Sequence, residues 1–126
     1  MEKSRSTKWA TLAITGLVSL AYLGPGVDKF MAIEPEVEIF QRLNLPPWVM
    51  YYAGTVQVAG AVGLWLTFTP FKGCSVRWLS ALGLAVFMVG AITGHLLHDP
   101  FTVALPAMVY LVFTLSLVYL FRPGAP

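Results

Sequence analysis

The sequence predicts an all-α integral membrane protein: four transmembrane helices in an antiparallel bundle, with a short outer-side capping helix or loop between the first and second. Three observations carry this. Only 11% of the 126 residues are charged and 57% are hydrophobic, whereas a soluble domain carries about 25% charged residues. The charges are clustered at 2–8, 28–42, 72–77, 99 and 122. Between them lie almost uncharged stretches of about 20 residues, the length a helix needs to cross a bilayer. Finally, the basic residues favour alternate connections. With a mean hydropathy of +0.73, this composition excludes a soluble domain, a disordered tail and a nucleic-acid binder.

The first span is expected over 9–27, behind the basic residues Lys3, Arg5 and Lys8. Ser19-Leu20-Ala21 loosely fits a small-x-small cleavage site, but the apolar run continues to Val27, so an uncleaved span is the expected reading. Gly24-Pro25-Gly26 should bend or end this helix. The second span is expected over 47–68, opened by Pro46-Pro47, the third over 78–97 and the fourth over 101–121. Backbone groups in hydrocarbon must be satisfied within each segment, which makes these spans helices. Short connections force neighbours antiparallel. The chain then reads as a single membrane domain over 1–126. The longer connection, 28–46, contains Glu34-Pro35-Glu36. A proline in a first turn flanked by acids reads as the start of a short helix. Ile39, Phe40 and Leu43 would cap the bundle mouth or lie on the membrane surface.

Orientation follows from the basic residues. Lys3, Arg5, Lys8, Lys72, Arg77 and Arg122 fall on one side; Lys29 and Arg42 fall on the other, with Asp28, Glu34, Glu36, Glu38 and Asp99. The positive-inside rule makes this a multi-pass protein of the cell membrane with both termini cytoplasmic. Aromatic residues fit both interfaces: Trp9, Trp65, Trp78 and Tyr119 inside, Trp48, Tyr51 and Tyr52 outside. Gly54, Gly60 and Gly63 on the second span, and Gly83, Gly90 and Gly94 on the third, suggest close helix approach within the bundle. The lone Cys74 excludes a disulfide framework within the chain.

Polar side chains at membrane depth are costly and face a partner or a cavity. Gln57 lies about 15 Å into the second span, near the midplane. Thr15, Ser19, Thr55, Thr114 and Ser116 can bond back to their own helices. Tyr22 is a candidate ligand contact on the first span. At the outer end, Asp28, Lys29, His95, His98 and Asp99 should converge in a partly apolar vestibule with Gln57 as its floor. His95 could exchange protons near pH 7, with Asp28 as its partner carboxylate. Lys29 could attract an anionic head group or a quinone oxygen. The alternative is that Asp28 and Lys29 are interfacial charges, that both histidines sit among wet head groups, and that Asp99 and the three glutamates are solvated surface. No metal site and no cofactor is expected, although His95, His98 and Asp99 are a conceivable metal set: both histidines sit on one helix end and would have to face each other across a haem, and no P-loop, GxGxxG or GxSxG occurs.

The segments Leu23-Gly24-Pro25-Gly26-Val27-Asp28-Lys29-Phe30, Leu43-Asn44-Leu45-Pro46-Pro47, Tyr52-Ala53-Gly54-Thr55-Val56-Gln57-Val58-Ala59-Gly60, Gly90-Ala91-Ile92-Thr93-Gly94-His95 and Asp99-Pro100 through Ala107 together resemble the DoxX/DoxX-like family of small four-helix membrane proteins. The likeness covers about residues 10–121. It implies a lysine at the first helix end and a histidine late in the third, matched by Lys29 and His95. It implies an acidic residue in the second helix, where this chain has Gln57. It also implies an association with membrane redox systems or with the assembly of other membrane proteins.

Three functions are therefore expected candidates. The first is binding of a lipid, quinone or other lipophilic small molecule in an outward-facing pocket touched by Lys29, Gln57, His95 and Tyr22, in the service of a redox or envelope system. The second is a chaperone or scaffold, with a membrane-protein partner or a second copy on its glycine faces. The third is a cofactor-free acid–base enzyme using His95 and Asp28.

Overall fold

The computed structural model describes residues 5–70 and 73–124; Lys3 and Lys72, two of the basic residues assigned to the inner side, lie outside them. The chain forms five helices: α1 Arg5–Phe30, α2 Glu34–Arg42, α3 Pro47–Gly63, α4 Val76–His98 and α5 Phe101–Leu120. No strand occurs among the described residues. Three of the helices, α1, α4 and α5, are long and apolar enough to cross a bilayer.

Two helix boundaries differ from expectation. α1 does not end at its proline but continues through Pro25 to Phe30. Pro25 has no N–H to give the Ala21 carbonyl, yet the turns on either side hold the helix together. Lys29 therefore sits in a helical last turn rather than in a loop. α3 stops at Gly63 instead of running to 68, and has 17 residues. There the amides of Trp65 and Leu66 turn back onto Val62 and Gly63 oxygens at 3.1 Å, a tightened end of the 3₁₀ type. The Trp65 indole N–H donates to Ser19 Oγ at 2.8 Å, tying this end to α1. The short helix expected after Pro35 is present as α2, with Glu34 and Glu36 in its first turn. Ser75 caps α4 by accepting from the Trp78 amide at 3.2 Å.

α1 packs mainly on α3 and α4 on α5, and the two pairs meet through α3 with α4 and α1 with α5. Gly26 of α1 meets Gly54 of α3, and Ser19, earlier on α1, meets Trp65 beyond the end of α3, so these helices run antiparallel. Glycine makes the crossing: a Cβ at Gly54 would lie 3.0 Å from the Gly26 carbonyl oxygen, a backbone atom that cannot step aside. Gly60 is likewise closed by Leu84. The α4 glycines behave otherwise and correct the close-approach reading there. A Cβ at Gly83 or Gly90 meets nothing within 4 Å, and at Gly94 only Leu43 at 3.9 Å. In α4, smallness leaves space instead of bringing backbones together.

The core gathers Val18, Tyr22, Leu64, Leu84, Met88 and Leu117. Tyr22 donates to Thr114 Oγ1 at 2.9 Å, and Thr114 donates to the Tyr110 carbonyl. Outside, Leu17, Leu20, Val86, Leu97 and Val112 are exposed, and less than a quarter of the apolar windows of α1, α4 and α5 is buried. Contiguous apolar exteriors of this extent are untenable in water and suit lipid.

Candidate functional site

Beneath α2, the bundle encloses a cavity of about 490 Å³ that every helix helps to line. Its walls are mainly apolar, with Phe87 and Met88 of α4 beside the small Ala53 on α3, Gly90, Ala91 and Gly94 on α4 and Ala107 on α5, and it is roofed by Ile39, Phe40 and Leu43 of α2. The exposed Tyr52, Val86 and Tyr110 mark where it opens outward. Against this apolar surface stand Lys29, Glu36, Gln57 and His95, together with the phenol side chains of Tyr52 and Tyr110. Concave apolar sites with a few convergent polar groups are the usual form of small-molecule sites.

Lys29 is 7% exposed. Its Nζ lies 3.2 Å from Glu36 Oε2, so the first turn of α2 neutralises the last turn of α1. An ammonium in such a place requires a partner. Glu36 shares one helix face with Ile39, Phe40 and Leu43, at the i, i+3, i+4, i+7 spacing, which turns its carboxylate inward with the roof.

The His95 Nδ1–H donates to Asp99 Oδ2 at 2.8 Å, leaving Nε2 as the ring nitrogen open to other partners. Asp99 in turn accepts from Arg42, Nε to Oδ1 at 2.7 Å and Nη2 to Oδ2 at 3.3 Å. Its side chain is only 5% exposed. The Arg42 hydrogen bond, seconded by that of His95, holds the Asp99 carboxyl below the ordinary carboxylate range. The same bond holds the Arg42 guanidinium above its ordinary value. α2 is thus fastened at both ends, by Glu36 to α1 and by Arg42 to the α4–α5 junction.

Gln57, 5% exposed, lines the buried side of the cavity, and its Oε1 has no hydrogen-bond partner. Lys29, Gln57 and His95 are thus brought to one cavity. Tyr22 is not: it is 1% exposed and spends its hydroxyl on Thr114. Asp28 is half-buried, off the cavity wall, and is not the carboxylate beside His95. His98 is exposed. Among the described residues no cluster of three or more His, Cys, Asp or Glu could hold a metal ion. Sequence reasoning placed Asp99 at the vestibule but gave His95 the wrong carboxylate, Asp28, and left Glu36 out of the candidate site. The signal for Glu36 was its register with the apolar face of α2; for Asp99 it was the i, i+4 spacing from His95.

An apolar exterior, a helical bundle and a roofed cavity with convergent polar groups define a small helical membrane protein with an intrabundle cavity. The chain belongs to the DoxX-like family, whose sequence profile matches residues 13–117. No curated protein and no solved structure matches the chain.

Proposed function

We propose that this protein holds a lipophilic small molecule, a lipid or a quinone, in the cavity beneath α2, as an accessory or subunit of a membrane redox or envelope system. The observation that carries this is the cavity itself: about 490 Å³, within the range of drug-sized ligand sites, apolar in its walls and polar at Lys29, Glu36, Gln57 and His95. In this reading all four long helices span the bilayer. α3, with 17 residues, extends about 25 Å at 1.5 Å per residue, near the lower limit for a span. Both termini are cytoplasmic by the distribution of basic residues, and α2 roofs the outer mouth. Lys29 and His95 meet the polar end of the ligand and Gln57 its buried end.

Native mass spectrometry of the protein released from native lipid tests the reading. A retained mass of a few hundred daltons is expected in the wild type and is expected to fall in Lys29→Ala and His95→Ala. Retention unchanged in both variants would overturn it.

A second reading is favoured by one contact, the 2.8 Å bond between His95 Nδ1 and Asp99. A carboxylate-oriented imidazole on a cavity wall is a general base in position. Proton transfer on a lipophilic substrate would give a bell-shaped pH–rate profile that His95→Ala abolishes. Asp99, and not Asp28, is then the orienting carboxylate.

A further inference from the structure

Resting on the ligand-binding reading, we infer the route by which the site is filled: sideways from the bilayer, through a mouth between α3 and α4. The occupant is therefore an amphiphile already dissolved in the leaflet on the α2 side, not a molecule captured from water.

α3 and α4 close on each other toward the inner side and part toward the outer. A Cβ at Gly60 would meet the Leu84 side chain, and one at Gly63 would meet Ser80. Farther out along α4 the closure ends: a Cβ at Gly90 meets nothing within 4 Å, and Gly90 is exposed while lining the cavity. Val86, 67% exposed, also lines it and shares a face of α4 with Gly90 at i, i+4 spacing. These two make one lip. Counted outward from the Gly60–Leu84 contact, Tyr52 of α3 comes level with the Gly90 turn. It is 65% exposed, lines the cavity and makes the other lip.

Depth decides which solvent this mouth meets. Tyr52 lies about 8 Å along α3 from its outer end, and Gly90 and Val86 about 12 and 18 Å along α4 from its outer end. Half of the hydrocarbon core is about 15 Å thick, so the mouth faces acyl chains and not water. The way in from above is obstructed. Glu36, Ile39, Phe40 and Leu43 of the roof are half-buried, and the Lys29–Glu36 and Arg42–Asp99 pairs fasten α2 at both ends.

The cavity also carries the polarity gradient of a leaflet. Lys29 and His95 lie in the last turns of α1 and α4, within about 5 Å of the outer helix ends. Below them the walls are mainly apolar. An amphiphile in the leaflet holds its polar end at the interface and its tail beneath, the same order at the same levels. It passes between α3 and α4 without inverting and without exposing its tail to water, the step that the hydrophobic effect opposes on an aqueous route.

The experiment uses the full chain in nanodiscs of phosphatidylcholine, a fraction of which carries a diazirine midway along one acyl chain. The head group of this probe stays at the membrane surface, so its carbene reaches the cavity only through a lateral mouth. After irradiation, wild type is expected to carry adducts on Met88 and Ala91, which line the cavity, as well as on the exposed Val89 and Val112. Gly90→Phe and Val86→Trp, two separate plugs for the mouth, are expected to lose the Met88 and Ala91 adducts and to keep the other two. Arg42→Gln, which releases one end of the roof, is expected to leave all four unchanged. Absence of the Met88 and Ala91 adducts in wild type overturns the inference, as does their persistence in both plugged variants or their appearance only in Arg42→Gln. Native mass spectrometry of unlabelled wild type separates the two readings. A retained ligand with Met88 and Ala91 unlabelled leaves the binding reading standing and removes the lateral route; no retained ligand removes the binding reading and the inference with it.

Discussion

Arg42 and Asp99, 57 positions apart in sequence, meet through two hydrogen bonds, Nε to Oδ1 at 2.7 Å and Nη2 to Oδ2 at 3.3 Å. This contact anchors the C-terminal end of α2 over the cavity, while Lys29 and Glu36 anchor its N-terminal end. α2 has no fully buried residue, and these two ion pairs join the partly buried Ile39, Phe40 and Leu43 in holding it over the cavity.

That arrangement has a pH dependence whose sign can be worked out. Asp99 is held below its ordinary range by Arg42 and His95, so the folded state binds its proton more weakly than the unfolded state does. The stabilisation is complete above the ordinary carboxylate value, about pH 4, and is lost as pH falls through that value and then through the lower folded one. Hydrogen exchange of the α2 amides should show constant protection from pH 8 to 5 and a loss below about pH 4. In Asp99→Asn, α2 should be less protected at neutral pH and insensitive to that acid step. The same acid step in Asp99→Asn would point to another carboxylate.

Lys29 and Glu36 should be energetically coupled. Removing either alone leaves a mostly buried charge without its partner, so each single variant, Lys29→Met or Glu36→Gln, should destabilise more than the pair changed together. A double-mutant cycle on thermal unfolding is expected to give about 1–3 kcal/mol of coupling. Additive effects would mean that the ion pair does not form in the membrane.

Gly54 and Gly90 should respond oppositely to the same substitution. Gly54→Ala places a Cβ 3.0 Å from the Gly26 carbonyl oxygen, and overpacking of this kind costs about 1–3 kcal/mol. Gly90→Ala meets open space and removes a helix-interior glycine, a gain of about 0.5–1 kcal/mol. Thermal melts of the two variants in one detergent check both signs; a shared direction would contradict the packing described.

Gln57→Leu should raise the melting temperature of the ligand-free protein. The substitution keeps the bulk of the side chain and removes a buried acceptor that has no partner, whose desolvation costs about 1–3 kcal/mol. A fall in melting temperature would show that Oε1 is satisfied in the empty protein.

The legible parts of this protein are those that depend on residue type along the chain. The scarcity of charge and its clustering marked apolar helices without reference to any contact, and Pro35 between Glu34 and Glu36 marked α2. Lys29, Gln57 and His95 stood out because ionisable and amide groups are rare in such helices. The particular pairings were not legible. Asp28 lies one position from Lys29 and faces elsewhere, while Asp99 turns to His95 and Arg42. Gly54 and Gly90 are the same residue in similar helices, yet one closes a crossing and the other opens a cavity.

What the sequence alone determined is the solvent each segment requires, because transfer of a helix into lipid is a sum over its own residues. What only the tertiary structure decided is which polar group satisfies which, and where space remains. Those outcomes depend on how helices far apart in sequence are rotated against one another. A turn of α2 or α4 by one residue, about 100°, would exchange Glu36 or Asp99 for a neighbour and dissolve the site without altering any property readable along the chain.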